Sequence, residues 1–175
     1  MKKDLILHKE YLDFPEKGIN FIDLTQSLLD PKVTDEIINS LIKLCKKDIK
    51  NIDYIISPDA RGFIWGSMIA KKLNLGFIPV RKVGKLPDEA LLGKIKYKTE
   101  YSVTELCLPK ADINNKKLLF VDDVYATGGT YFAIKELINQ NGGTLIGGVV
   151  LVDINISKNK DLKSLAKARD LINKV

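Results

Sequence analysis

The stretch Val121 to Thr130, VDDVYATGGT, constrains this chain more than any other part of its sequence. An apolar run, Leu118 to Val121, leads into two adjacent acids and then into Ala126-Thr127-Gly128-Gly129-Thr130, after which a helical pattern begins at once. That order predicts strand, loop and helix. In an open α/β sheet a ligand sits beyond the carboxyl end of a strand, where the loop meets the next helix, and Asp122 and Asp123 stand at that strand end. A helix start leaves backbone N–H groups unpaired and carries partial positive charge, so it suits a phosphate. Gly128 and Gly129 let the backbone curl closely around an anion, and Thr127 and Thr130 add hydroxyl donors. Carboxylates accept hydrogen bonds and repel phosphate, so Asp122 and Asp123 face a polyol or a metal. The implied ligand has a phosphate at one end and vicinal hydroxyls beside it, as ribose 5-phosphate does. An ordinary capped turn explains one acid and one threonine, but not two acids followed by five small or hydroxylic residues. Neither the P-loop pattern G-x-x-x-x-G-K-[ST] nor the dinucleotide pattern G-x-G-x-x-G is present.

VDDVYATGGT resembles the signature of the type I phosphoribosyltransferases, which bind phosphoribosyl pyrophosphate (PRPP). The resemblance implies that Asp122 and Asp123 hold the ribose 2- and 3-hydroxyls, and that Ala126, Thr127, Gly128, Gly129 and Thr130 wrap the 5-phosphate. Transferases for several bases and some regulators share this signature, so the rest of the chain must narrow it.

Composition narrows the chemistry. The 175 residues suffice for one domain with a real core, and 45% hydrophobic with 29% charged residues is ordinary for a soluble globular protein. No apolar run approaches membrane-spanning length, and the apolar patch in MKKDLILHKE is broken at once by His8-Lys9-Glu10, so neither a membrane span nor a signal peptide is expected. The expected location is the cytoplasm. His8 is the only histidine, and Cys45 and Cys107 are far apart, which argues against zinc sites and against Cys-His or Ser-His-Asp catalysis. A net charge of +6 permits nucleic-acid binding but also suits a polyanionic small substrate. The lysines are scattered and form no basic helix with interleaved aromatics; two of the three arginines, Arg61 and Arg81, fall at candidate phosphate sites. A small polyanion is expected, and no nucleic-acid partner.

Along the chain, residues 11–31 place a turn at Pro15 to Gly18 and an apolar, hairpin-like arm around Ile19 to Leu24. Asp30-Pro31 caps a helix whose buried face is Val33, Ile37, Leu41 and Leu44, running to about Lys47. A short buried strand, Tyr54 to Ile56, then enters Ser57-Pro58-Asp59-Ala60-Arg61-Gly62, a second strand-to-helix junction that aims a helix start at the same cleft; its helix runs through Ile64, Met68 and Leu73. Arg61 offers a planar fork of donors to a phosphate, or simply an ion pair with Asp59. Gly76 to Val80 is the next strand, ending in the cationic group Arg81, Lys82 and Lys85. Residues 88–101 show no clear pattern and are expected to form a loop that serves as a lid. Ser102 to Leu108 alternates as a strand. The helix from Thr130 turns Ala133, Ile134, Leu137 and Ile138 inward and stops at Asn141-Gly142-Gly143; Thr144 to Val152 is a strand buried on both faces. From Ser157, Leu162, Leu165, Ala168 or Arg169, and Ile172 recur at roughly helical spacing.

Several of these segments are similar to adenine phosphoribosyltransferases in particular. FPEKGINFIDLT resembles the N-terminal hood of that family, which implies that Asn20, Phe21 and Ile22 meet the purine. Asp59-Ala60-Arg61-Gly62 matches its pyrophosphate loop. RKVGKLP is close to the segment whose arginine reaches the partner's pyrophosphate, so a homodimer is implied, with Arg81 serving the partner's site. Tyr97-Lys98-Thr99-Glu100-Tyr101 resembles the lid sequence Y-S-L-E-Y, which makes Glu100, with Arg61, the catalytic candidate. Ile154 corresponds to an aliphatic residue that packs on the purine, and reads equally well as core. The implied fold is α/β, the type I phosphoribosyltransferase fold, a mainly parallel sheet flanked by helices in a single domain with a hood (about 11–31), a core (about 32–154) and a C-terminal helical tail (about 157–175). The implied substrates are PRPP and a purine base, adenine above all. The implied cofactor is Mg2+, held through PRPP and water rather than by a protein cage. Asn20 and Ile22 depart from the family's usual aliphatic residue and arginine, which leaves a 6-oxopurine substrate open; a PRPP-binding regulator without turnover is the third reading.

Overall fold

The computed structural model describes residues 5–14, 16–46, 49–98, 103–154 and 159–171. A hairpin comes first: β1 (Lys9–Leu12) pairs antiparallel with β2 (Asn20–Asp23), and the Phe14 N–H donates to the Ile19 carbonyl across the turn. Phe14 meets Phe21 edge-on, which gives the hairpin a small apolar contact of its own. Two helices follow, α1 (Thr25–Leu29) and α2 (Pro31–Leu44). Asp30 caps α2 as its position before proline implies, its Oδ1 accepting from the Lys32 N–H at 2.8 Å. Ile37, Ile38 and Leu41 of α2 are buried, with Val33 and Leu44 partly so, and the helix ends before Lys47, which lies outside the described residues.

The remaining elements are β3 (Tyr54–Pro58), α3 (Arg61–Leu73), β4 (Gly76–Lys82), β5 (Leu91–Lys98), β6 (Val103–Pro109), β7 (Lys117–Tyr125), α4 (Gly129–Gln140), β8 (Thr144–Asp153), β9 (Leu162–Lys167) and α5 (Ala168–Leu171). They build a seven-stranded sheet in the order β5-β6-β4-β3-β7-β8-β9. β4, β3, β7, β8 and β9 run parallel, while β6 joins β4 and β5 antiparallel. The central strands are mainly apolar because both faces of the sheet are covered. Ile55 and Leu119 pack with α2 and α3 on one side, and Ile56 and Phe120 pack with α4 on the other.

Helix α3 runs through Ile64, Met68 and Leu73 as the sequence implies, and its buried residues are Gly62, Trp65, Gly66, Ile69 and Ala70. The bulky indole takes the core position, and Gly66 lets the helix approach so closely that a Cβ there would lie 2.0 Å from Ser57 Oγ. Two readings of the sequence need correcting. Residues 91–98 form a strand rather than a loop. Leu91, Gly93, Ile95 and Tyr97 are half-buried and alternate with exposed Leu92, Lys94, Lys96 and Lys98, a period of two that the lysines conceal as a charged surface. The three lysines lie on an edge strand, where charge discourages pairing with another chain. Finally, residues 162–167 of the expected helical tail form β9, parallel to β8, and among the described residues of that tail Ala168–Leu171 is the helical part. A spacing of three puts Leu162 and Leu165 on one side of a helix but on opposite faces of a strand, and in this sheet each face takes one of them. Ile172 lies outside the described residues, and no helix among them is long and apolar enough to cross a membrane.

Candidate active site

The connection from β3 leads outward to β4, whereas that from β7 leads the other way to β8, so the strand order reverses between β3 and β7. Such a reversal parts the loops at the carboxyl ends and opens a crevice. A cleft of about 460 Å³ lies there, lined by Pro58, Asp59, Ala60 and Arg61 after β3 and by Asp122, Asp123 and Val124 of β7. Phe21 of the hairpin, Lys82 of β4, Thr104 and Leu106 of β6, Tyr97 of β5 and Thr130 of α4 complete the wall.

Each acid of the pair is first held by backbone. Asp122 Oδ1 accepts the Asp123 N–H at 2.9 Å, and Asp123 Oδ1 accepts the Val124 N–H at 2.8 Å. Asp123, almost fully buried, also takes an ion pair from Arg61 Nε at 2.8 Å. Arg61 therefore pairs with Asp123 rather than with Asp59, which binds Arg81 Nε at 3.0 Å. The same guanidinium stacks over the Phe21 ring at 4.8 Å and donates to the Ile22 carbonyl at 3.3 Å, so one side chain ties the hairpin to the acid pair. The start of α3 sits directly on the acids, since a Cβ on Gly62 would lie 2.9 Å from Asp122 Oδ1. The Asp59–Ala60 peptide at this junction is cis.

Beyond the acids, the loop turns into α4 through Gly128, whose φ of +88° belongs to the left-handed region that favours glycine. A smaller cavity of about 90 Å³ is lined by Asp122, Val124 and every residue from Tyr125 to Tyr131, and so shares Asp122, Val124 and Thr130 with the cleft. Carboxylates and an anion-seeking helix start therefore lie side by side in one crevice.

The electrostatics are set by burial. Desolvation, and after it the adjacent Asp123 carboxylate, push the Asp122 carboxyl well above the ordinary carboxylate range, with Arg61 opposing them. An acid whose folded pKa exceeds its unfolded value disfavours folding once ionised, so the cost grows as pH rises from about 4, the unfolded value, through the folded one. Asp122→Asn keeps the acceptor for the Asp123 N–H and removes the charge. It is expected to melt above the wild type at neutral pH, with the gap closing as the pH approaches about 4. Equal melting temperatures across that range, followed by calorimetry, would contradict this reading.

The sequence profile of the phosphoribosyl transferase domain matches residues 25–174. Adenine phosphoribosyltransferase of Thermosipho africanus is 43% identical over 152 residues, 86% of each chain, and that of Malacoplasma penetrans is 41% identical over 143 residues, 81% of each. The chain belongs to the adenine phosphoribosyltransferase family. Its fold agrees with this membership. The crystal structure of the Thermoanaerobacter pseudethanolicus adenine phosphoribosyltransferase superposes with a TM-score of 0.84 at 34% identity, covering 95% of this chain and 99% of the other. The Saccharomyces cerevisiae enzyme, solved with adenine and an imino-altritol bisphosphate, gives 0.83 at 30% identity over 94% and 96%.

Of the residues that resemblance to the family singled out, the cleft and its side cavity gather Phe21, Asp59, Ala60, Arg61, Lys82, Tyr97, Asp122, Asp123, Ala126, Thr127, Gly128, Gly129 and Thr130. Arg81, bound to Asp59 and stacked at 5.7 Å on Phe63, does not line it, and Lys85 lies exposed beyond the end of β4. Asn20 turns its amide nitrogen to Glu10 across the hairpin at 2.6 Å, and Ile22 is buried in the core. Ile154 is half-buried past β8, its N–H donating to the Tyr125 carbonyl at 2.8 Å. Glu100 and Tyr101 lie outside the described residues. Pro58, Thr104, Leu106 and Val124 also line the cleft without having been singled out. Pro58 and Val124 directly flank the two recognised motifs, a signal that could have found them; Thr104 and Leu106 arrive through strand pairing, which no local motif announces.

Proposed function

We propose that this chain transfers the phosphoribosyl group of PRPP to N9 of adenine, giving AMP and pyrophosphate. The observation that carries the proposal is the meeting of Asp122, Asp123 and Arg61 with the loop before α4 in one crevice. A sugar phosphate laid along it would place its 5-phosphate at the N–H groups and hydroxyls of Thr127 to Thr130 and its ring hydroxyls at the acids. Breaking the bond from the anomeric carbon to pyrophosphate leaves positive charge on the ribose and negative charge on the leaving group. The acids favour the first, and Arg61 and Lys82 favour the second, both as preorganised charges. The new bond forms from the anomeric carbon to N9, whose proton must leave. By family resemblance Glu100 handles that proton.

Phe21 supplies an aromatic face at the cleft for the purine. Adenine is favoured over a 6-oxopurine because curated relatives at 41–43% identity are adenine phosphoribosyltransferases. Magnesium fits as an ion borne by the substrate. Among the described residues no three acidic, histidine or cysteine side chains could jointly hold a metal, and an octahedral ion that keeps substrate oxygens and waters needs no such cage. When bound, the ion would neutralise diphosphate charge. A homodimer remains part of the proposal, supported by the likeness of RKVGKLP to the family segment whose arginine reaches the partner's site; the cytoplasm remains the proposed location.

The test is to supply PRPP and magnesium with adenine, hypoxanthine, guanine and xanthine in turn and assay the monophosphate. Turnover of adenine alone is expected. Turnover of a 6-oxopurine instead would transfer the assignment to that substrate, and no turnover with a PRPP-raised melting temperature would mark a binding protein.

A further inference from the structure

Tyr97 is the penultimate residue of β5, on the far edge of the sheet from β8 and β9, yet it lines the same cleft as Thr130. Its hydroxyl lies 3.0 Å from Thr130 Oγ1. The packing around this bond is tight: a Cβ on Gly129 would meet the Lys98 carbonyl at 3.3 Å and the Tyr97 ring at 3.4 Å, so the end of β5 rests directly on the turn that opens α4. Burial raises the phenol's pKa, which keeps the proton on at physiological pH.

We propose that Tyr97 is a positioning residue for the 5-phosphate, acting through the Thr130 hydroxyl. The idea rests on the functional reading above. A hydroxyl has one proton to donate, and a threonine that must serve a phosphate dianion cannot also donate to tyrosine. Tyr97 is then obliged to be the donor, giving a directed chain from the Tyr97 O–H to Thr130 Oγ1 and from the Thr130 O–H to a phosphate oxygen. A chain of this kind polarises its second member and fixes its rotamer, so Thr130 is aimed before substrate arrives. Tyr97 itself need not touch the ligand.

Titration calorimetry with ribose 5-phosphate, PRPP and pyrophosphate tests this on the intact chain. Tyr97→Phe removes the oxygen but keeps the ring against Gly129. It is expected to weaken ribose 5-phosphate and PRPP about five-fold, the worth of one net hydrogen bond, while leaving pyrophosphate affinity unchanged. In a Thr130→Val background, where the chain is already broken, Tyr97→Phe should add nothing to the loss; the conservative Thr130→Ser should keep the sensitivity to Tyr97→Phe. Equal weakening of all three ligands would assign Tyr97 a merely structural role and overturn the proposal, as would unchanged affinity for both phosphosugars. Failure of the wild type to bind any of the three would instead overturn the functional reading beneath it.

Discussion

Arg61→Ala is expected to lower kcat/KM for PRPP by about 10²–10³-fold, the range seen when one preorganised charge-stabilising donor is removed. Three contacts disappear together: the ion pair to Asp123 at 2.8 Å, the bond to the Ile22 carbonyl at 3.3 Å and the stack on Phe21 at 4.8 Å. The loss of charge at the leaving group affects the chemical step. The loss of the tether to the hairpin affects how Phe21 meets the base. The buried Asp123 carboxylate is left with the Val124 N–H as its remaining bond among those described, so the variant should also lose about 1–3 kcal/mol of stability. Arg61→Lys separates the contributions. It restores a positive charge but not the planar fork, and should recover part of kcat while leaving the hairpin contacts unrestored. Near-wild-type kcat/KM in Arg61→Ala would remove this residue from the reaction.

Gly128→Ala is expected to be nearly as damaging by a different route. At φ +88° an L-residue is strained, at a cost of about 1–3 kcal/mol. The new methyl would also lie 2.4 Å from Tyr125 Oη and 3.0 Å from the Phe132 ring. Tyr125 is buried and packs edge-on against Tyr131, so it cannot simply swing away, and the turn itself must move. A displacement near 1 Å in groups that position a substrate can cost about 10²-fold in rate. The loss should fall on PRPP kinetics with the KM for adenine little changed, because the base site is built from the hairpin. A melting temperature and PRPP KM both equal to wild type would show that the loop does not need its left-handed glycine.

Local sequence made the catalytic half of this molecule legible. VDDVYATGGT carries strand, acids, turn and helix start in one run, and all of its site residues face one crevice because a strand-to-helix connection leaves them nowhere else to go. Asp30-Pro31 and the turn before Asn20 were legible for the same reason, since their chemistry is satisfied within a few residues. What was illegible depends on partners distant in sequence. Arg61 was free to pair with Asp59, its near neighbour, and the fold gave it Asp123 instead. β5 and β9 were misread because edge strands carry polar residues on their open side, so their apolar residues are sparse and the remaining spacing imitates a loop or a helix. Thr104 reaches the cleft only because β6 turns back against β4.

The most direct test of the crevice is a crystal structure with AMP. The expected result has the phosphate against the backbone of residues 127–130, the ribose hydroxyls on Asp122 and Asp123, and the purine beside Phe21. A nucleotide seated in reverse, with its phosphate at Lys82 and its base at Thr130, or bound outside this cleft altogether, would contradict the assignment.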